Sequence, residues 1–390
     1  MGKPIRIAVL AEHTRAFTRE LLAGIGKVAQ DRRDWSLELV NPARFESQAL
    51  DGYDAFIARI LTDRDAERLA ATHKPVVDIF GRTERLEFPC AAPDNGAIGR
   101  LAADHFLNRR FSSFAFCGYA GIRYSDARHA AFSQHVAKAG FSCVAYQTPA
   151  KALNRFRGGL KKNERLDSDG DSRELARWVK SLPDKTAVFC ASDLKAWQLL
   201  SVCRSLGRRI PDDLAILGVD DDPILCSFTS PALSSINPNA FAVGQRATAL
   251  LDLMLKGKKP QPFTNILPQG ITVRASTEIY PLDPPWLSDA LIFIHRNIAS
   301  NLTAADVYRH LVLSHTTVDA GFRKTLGTSV QKEIAKARLD EARRLLEASD
   351  LPLSEIARRA GFASVAYFSR TFAAAFGVTP SASASRKWRT

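Results

Sequence analysis

Several charged residues in the first 280 positions stand just after short apolar runs, where a chain that alternates strands and helices presents its binding groups. Arg59 follows one such run, Asp193 another, and Asp220 and Asp221 a third. In open parallel sheets ligands bind at the carboxyl ends of the strands. A carboxylate accepts two hydrogen bonds from vicinal hydroxyls, and a guanidinium donates in a fork. Asp193, Asp220 and Arg128 converging in one cleft is the pattern expected for a sugar. Asp94, Asp221 and Arg59 have plainer readings open to them: the two carboxylates could cap helices or brace a hinge, and the arginine could pair with a neighbouring acid. The run Asp220-Asp221-Asp222 could also hold a divalent metal for hydrolysis. No nucleophile–base pair, phosphate-binding loop or zinc spacing accompanies it, so the sequence is read as that of a non-enzyme without a cofactor.

The elements that must position these groups are legible in outline. Strands are predicted over residues 6–11, 55–60, 76–80, 114–118, 143–147, 187–191 and 215–219, separated by helical periodicity over 18–30, 98–108, 126–139, 172–181 and 195–206. Strands apolar throughout, alternating with amphipathic helices, indicate parallel sheets covered on both faces. The pattern runs twice with a break near 111–114, so two α/β lobes are expected. Residues 151–171, basic and then rich in Gly and Asp, read as a solvent-exposed loop or insertion. The prolines at 281, 284 and 285 mark a boundary, beyond which the pattern is all helix: 286–300, 303–311, 315–326, 329–349, 353–360 and 365–376.

That helical tail contains a duplication. Ser314, Val318 and Phe322 recur fifty residues later as Ser364, Phe368 and Phe372, each time after a short amphipathic helix and a tight turn. Each serine is a natural N-cap. Each pair of apolar residues at i, i+4 holds one face of the second helix on a small core and leaves the opposite face free. This is a helix-turn-helix arrangement, in which the second helix enters the major groove of DNA.

The segment Leu353-Ser-Glu-Ile-Ala-Arg-Arg-Ala-Gly-Phe-Ala-Ser-Val-Ala-Tyr-Phe-Ser-Arg-Thr-Phe372, with Gly377-Val-Thr-Pro380 beyond it, resembles the AraC/XylS-family DNA-binding domain over roughly residues 288–380. The resemblance implies two recognition helices reading successive major grooves. The first would present His315, Thr316, Asp319 and Ala320. The second, capped by Ser364, would present Val365, Ala366, Ser369 and Arg370. Arg370 is the best candidate for a guanine or phosphate contact, while Arg323 and Lys324 would meet phosphates. Three departures stand out: Ala320-Gly321 where a basic residue is frequent, Tyr308 where a small residue is usual, and Ser383-Ala384 in place of Tyr-Arg.

The front of the chain resembles the LacI/GalR sensor fold. The resemblance rests on Ile57-Ala-Arg59, Pro93-Asp94-Asn95, the stretch from Tyr124 through Arg128 to Phe132, Ala191-Ser192-Asp193, Gly218-Val219-Asp220-Asp221, and the stretch from Pro231 to Ile236. It implies a two-lobed periplasmic-binding-protein-like sensor, with Arg128, Asp193 and Asp220 as the foremost effector ligands and Arg59, Asp94, Tyr124 and Asp221 behind them. The expected organisation is a sensor over 1–280, a linker over 281–287 and an all-α double helix-turn-helix domain over 288–390. Lobe one would take about 1–110 and 240–265, and lobe two about 111–236 and 266–280.

Composition fits this reading without establishing it. The net charge is +13, of which the tail from Asp283 carries +5; surplus positive charge suits a polyanionic partner but also serves solubility. The six cysteines form no CxxC pair and read as small buried hydrophobes. No apolar run approaches membrane-spanning length, and no signal-peptide stretch opens the chain, so a cytoplasmic protein is expected. The implied function is a sugar-responsive transcription activator, with a pentose such as xylose as effector and double-stranded DNA, RNA polymerase and a second copy of the chain as partners. The alternative is a DNA-binding regulator whose front domain takes a non-sugar ligand or a protein.

Overall fold

A computed structural model describes residues 3–41, 50–60, 62–81, 88–148, 169–348 and 351–386. The expected loop at 151–171 falls outside them save for its last three residues, which open a helix. The chain forms two compact units, Met1–His105 with Ser112–Thr277, and Phe106–Phe111 with Glu278–Thr390.

The first unit contains two six-stranded sheets. One holds β1 (Ile5–Leu10), β2 (Trp35–Val40), β3 (Ala55–Ala58), β4 (Val76–Asp78), β5 (Cys90–Pro93) and β11 (Phe263–Ile266), in the order β2-β1-β3-β4-β5-β11, every pairing parallel. The other holds β6 (Ser113–Tyr119), β7 (Cys143–Thr148), β8 (Thr186–Cys190), β9 (Leu214–Val219), β10 (Ser234–Asn237) and β12 (Gly270–Thr272), in the order β7-β6-β8-β9-β10-β12. Only β12 runs antiparallel there. The chain therefore passes between the sheets three times: before β6, after β10, and between β11 and β12. Both sheets share one doubly wound order, with the direction of winding reversing between β1 and β3 in one and between β6 and β8 in the other. A crevice opens at such a reversal.

Helices α1 (Ala16–Ala29), α2 (Asp63–Ala70), α3 (Asn95–Asn108), α4 (Arg123–Lys138), α5 (Asp169–Ser181), α6 (Asp193–Ser205), α7 (Pro223–Phe228) and α8 (Ala240–Leu255) accompany the strands. Sequence periodicity found the central strands because they are apolar throughout. It missed β2, whose side chains alternate and face solvent along an edge, and β5, built from small residues. It also missed β10 as a strand, because buried Ser234 and Ser235 read as polar. Those serines are hydrogen-bonded: Ser234 to the Arg274 carbonyl at 2.8 Å, and Ser235 to Asp193 at 2.5 Å.

Helices α1 and α8 touch backbone to backbone. A Cβ on Gly24 would lie 2.0 Å from the Phe241 carbonyl oxygen, and one on Gly244 would lie 2.1 Å from that of Leu21. The close approach lets Leu21, Ile25, Val243, Ala247 and Leu251 join a single core under the first sheet.

The second unit is helical: α9 (Trp286–Arg296), α10 (Ala304–Leu311), α11 (His315–Gly321), α12 (Val330–Ala348), α13 (Leu353–Arg359), α14 (Val365–Phe376) and α15 (Pro380–Arg386). Helix α15, opened by Pro380 as its first residue, lies beyond the predicted end. Two separate cores form. Val318 and Phe322 belong to one, with Leu291 and Val307; Phe368 and Phe372 belong to the other, with Ile356 and Ala360. The long helix α12 serves both, giving Val330, Ile334 and Ala337 to the first and Ala342, Leu345 and Leu346 to the second.

Gly244→Ala is expected to lower the stability of the first unit by about 1–3 kcal/mol, the usual cost of forcing a methylene into a filled contact. Chemical denaturation of the full chain checks this, and a change under about 0.5 kcal/mol would show the two backbones free to part.

Candidate functional site

The expected ligand groups lie at the carboxyl ends of both sheets. Arg59 is the first residue past β3, and its guanidinium lies 4.5 Å above the Phe80 ring, just past β4. Asp78 fixes that turn by accepting from the Phe80 and Gly81 amides, both at 2.9 Å. Phe80 meets Tyr124 edge-on at 6.2 Å, and Tyr124, in the first turn of α4, faces the Arg128 guanidinium at 5.0 Å. The result is a continuous Arg–Phe–Tyr–Arg stack built from the ends of both sheets.

Arg128 is buried. Its Nε donates to Asn95 Oδ1 at 2.9 Å and one terminal nitrogen to the Ala191 carbonyl at 2.5 Å. Burial pulls the Arg59 and Arg128 guanidiniums below their ordinary value, and Asp220 pulls both back. Asp220 follows β9 with φ at +120°, a backbone conformation rare for any residue with a Cβ. Its carboxylate accepts no hydrogen bond among the described residues and stays partly accessible. Burial raises its pKa, while Arg128, Arg15 and Arg59 oppose the rise.

The remaining sequence candidates are held by the protein itself. Asp193, fully buried at the start of α6, accepts from Ser235 Oγ at 2.5 Å, from the Asp222 amide at 2.9 Å and from the Cys226 thiol at 3.4 Å. A Cβ on Gly218 would sit 2.1 Å from this carboxylate, so glycine there is a packing requirement. Burial and the nearby Asp220 raise its pKa. Asp94 caps α3 by accepting from the Ala97 amide at 2.8 Å. Asp221 pairs with Arg274 at 2.9 Å and accepts from Thr272 at 2.7 Å. Asp222 caps α7. No cluster of three potential metal ligands occurs among the described residues.

Four contributors escaped sequence reasoning. Phe80 carried the same signal as Arg59, a strand end. Arg15, exposed just before α1, carried none. Asn95 stood inside a noted motif without an assigned role. Lys195 looked like a surface residue of α6 but is fully buried: Nζ donates to Thr148 Oγ1 at 2.6 Å and to Gln198 Oε1 at 2.8 Å, and lies 5.3 Å from the rings of Tyr119 and Tyr146.

In the second unit, Ser314 and Ser364 cap their helices as expected, accepting from the amides of Thr317 at 3.1 Å and Tyr367 at 3.2 Å. Thr316, Ala320, Arg323, Lys324, Val365, Ala366 and Arg370 are exposed, and Ser369 is half-buried. Arg370 has no hydrogen bond or ion pair among the described residues. Tyr367, 51% exposed, shares that face and was overlooked.

The departures noted in the first repeat have physical reasons. The Tyr308 hydroxyl donates to Asp319 at 2.9 Å and its ring stacks on His315 at 4.2 Å, so two expected base readers are already engaged with α10. A Cβ on Gly321 would lie 2.3 Å from the Trp286 ring, so a larger residue there would collide. The helix expected over 315–326 is α-helical only to Gly321; a π turn, Phe322–Leu326, completes it and carries Arg323 and Lys324 outward.

Asp220→Gly is expected to stabilise the first unit by about 1 kcal/mol, because it relieves positive-φ strain and removes a desolvated carboxylate; no gain on denaturation would refute that strain. Asp193 and Asp220 hold their protons more tightly folded than unfolded. Their stability contribution is therefore full in acid and falls as pH rises through the raised values. Asp193→Asn should flatten that fall in a denaturation series across pH, and an unchanged slope would contradict the assignment.

Two segments of the chain match known protein families. Residues 103–277 match the family of periplasmic binding protein-like domains, and residues 308–386 match a helix-turn-helix domain family. The xylose operon regulatory protein of Escherichia coli K12 is 27% identical over 387 residues, covering 96% of this chain and 95% of its own. That of Haemophilus influenzae is 25% identical over 388 residues, covering 96% and 97%. The solved structure of the xylose-binding transcription activator xylR has a TM-score of 0.61 at 25% identity and covers 98% of each chain. A LacI family regulator from Enterococcus faecium with bound ribose shares the fold of the front portion, with a TM-score of 0.56 at 20% identity over 71% of this chain and 100% of its own. The chain thus joins a segment similar to periplasmic binding protein-like domains to a C-terminal segment similar to helix-turn-helix domains, and is similar over nearly its full length to the xylose operon regulatory proteins.

Proposed function

We propose that the protein is a sugar-responsive transcription regulator that activates genes for the catabolism of a pentose or a pentose-derived compound. The observation that carries the reading is the stack in which Arg59 and Phe80, from the end of one sheet, meet Tyr124 and Arg128, from the end of the other, beside the unbonded Asp220. A small polyhydroxylated ligand touching both sides favours the closed arrangement over the open one, and only that difference in affinity can shift the equilibrium. Similarity over nearly the full length to proteins named for the xylose operon supports the substrate class.

Within that cleft Arg59, Tyr124, Arg128 and Asp220 face the ligand. Asp94, Asp193 and Asp221 frame it by holding α3, the β9–α7 turn and β12 in place. Closure changes how two copies of the chain pair, and a homodimer presents four recognition helices to repeated half-sites in the cytoplasm. Thr316, Ala320, Val365, Ala366 and Arg370 face the bases, with Ser369 at the edge of that surface. Arg323 and Lys324 meet phosphates on either side of the duplex groove, and bound protein then helps recruit RNA polymerase. The work is binding alone, with no catalytic step and no cofactor.

Fluorescence anisotropy of the full chain on promoter fragments from its own genome tests the proposal. Salt-sensitive binding that a sugar or sugar-derived ligand strengthens is the expected result; indifference to every fragment, with and without ligand, would end it. Arg370→Ala should weaken binding by about 1–3 kcal/mol and relax the preference at one base position. Equal affinity of parent and variant across the salt series would remove Arg370 from the interface.

A further inference from the structure

The cleft holds a guanidinium fork, that of Arg59, to which no acid is bonded among the described residues. The Arg59 guanidinium lies over the Phe80 ring with no hydrogen bond or ion pair among the described residues, so its N–H groups are available. Arg128 uses Nε and one terminal nitrogen on Asn95 and Ala191, and its other terminal nitrogen makes no hydrogen bond among the described residues. Arg15 is exposed beside them, close enough to act on Arg59, Tyr124 and Asp220.

Asp193 is satisfied by Ser235, Cys226 and the Asp222 amide. Glu12 takes the Thr14 hydroxyl and acts on Arg59 through space without a hydrogen bond to it. Glu20, half-buried on α1, feels Asp221, Asp220 and its neighbour Arg19, and like Asp220 it accepts no hydrogen bond among the described residues. None of these acids is bonded to the Arg59 fork.

A neutral sugar can meet these donors only with neutral acceptors: each hydroxyl donates once and offers two lone pairs, and it brings no counter-charge. A desolvated guanidinium lying on an aromatic ring is costly without a counter-charge. Its fork matches a planar carboxylate with two parallel hydrogen bonds.

We infer that the effector is an acidic sugar, a polyhydroxylated monosaccharide derivative whose carboxylate docks on Arg59 while its hydroxyls meet Asp220, Tyr124 and Arg128. The inference rests on the reading of this cleft as a sugar site and narrows its ligand class. Arg59 is then the residue that sets specificity, and the acid end of the ligand lies toward the first sheet. Docking it gives Arg59 the bonded anion that it lacks among the described residues.

Titration calorimetry of the full chain separates the possibilities with five probes: D-xylose, D-xylonate as the same carbon skeleton bearing an acid, D-glucuronate, ribose 5-phosphate and inorganic phosphate. One of the two carboxylates is expected to bind at least about tenfold tighter than xylose. Arg59→Gln should cost that acid about 30-fold or more, at least about tenfold more than it costs xylose. Arg59→Lys, which keeps the charge without the fork, should fall between them. An unchanged thermal midpoint of ligand-free Arg59→Gln confirms that the variant folds; should it not fold, the parent's ranking of probes decides alone. Tighter binding of xylose than of either acid overturns the inference and leaves the regulator reading standing. A preference for ribose 5-phosphate overturns the carboxylate. Silence of every probe removes both the inference and the sugar reading beneath it.

Discussion

The buried carboxylate of Asp193 is the interaction on which the proposed effector cleft depends. Three donors converge on it from separate pieces of chain: Ser235 on β10, the Asp222 amide ahead of α7, and the Cys226 thiol within α7. Together they set the path of residues 220–222. That path is what holds Asp220 at φ +120° and leaves its own carboxylate without a partner. A buried acid with satisfied lone pairs ties elements together at modest net gain, whereas removing one partner leaves an uncompensated polar group. The arrangement concentrates rigidity in one aspartate and strain in the next. Strained backbone persists where the surroundings over-determine it, and it clusters where ligands bind.

The same division between framework and open groups recurs through the first unit. Asp78 holds the turn that presents Phe80, Asp94 caps the helix whose first residue, Asn95, orients Arg128, and Asp221 is joined to Arg274 and Thr272. Four aspartates, counting Asp193, thus serve the backbone, while Asp220, Arg59 and Arg128 keep polar atoms without a hydrogen bond among the described residues. The Phe80 and Tyr124 rings lie between those arginines, 4.5 Å from the Arg59 guanidinium and 5.0 Å from that of Arg128.

The second unit solves a different problem, since each helix-turn-helix is too small for a substantial core. Helix α12 is amphipathic along its length and gives one set of apolar residues to each core, so two marginal modules share one rigid support. The two repeats are not equivalent. In the second, Gly361 takes the left-handed turn at φ +77°, where a Cβ would strike the Ile298 carbonyl. In the first, Val312 takes a left-handed conformation at φ +53° with a β-branched side chain 89% exposed, a position most residues avoid. With Tyr308 engaging His315 and Asp319 as well, the first recognition helix has fewer free side chains than the second.

Patterns that act locally were legible in the sequence. The central strands of both sheets are apolar without interruption, the serine caps and the i, i+4 phenylalanine and valine pairs mark both helix-turn-helix units, and Arg59, Asp193 and Asp220 announced themselves by standing after strands. What depended on neighbours distant in sequence was not legible. Nothing local distinguishes Asp193, consumed by hydrogen bonds from β10 and α7, from Asp220, left open; nothing local buries Lys195 between Tyr119 and Tyr146 or places Trp286 on Gly321. Edge strands such as β2 escaped because a strand bonded on one side and bathed on the other carries no continuous apolar signature. Periodicity and capping follow from covalent geometry and the solvent, so residue order alone determined the elements and the two kinds of unit. Which polar groups are satisfied depends on donors and acceptors brought together only by folding, and that the tertiary structure decided.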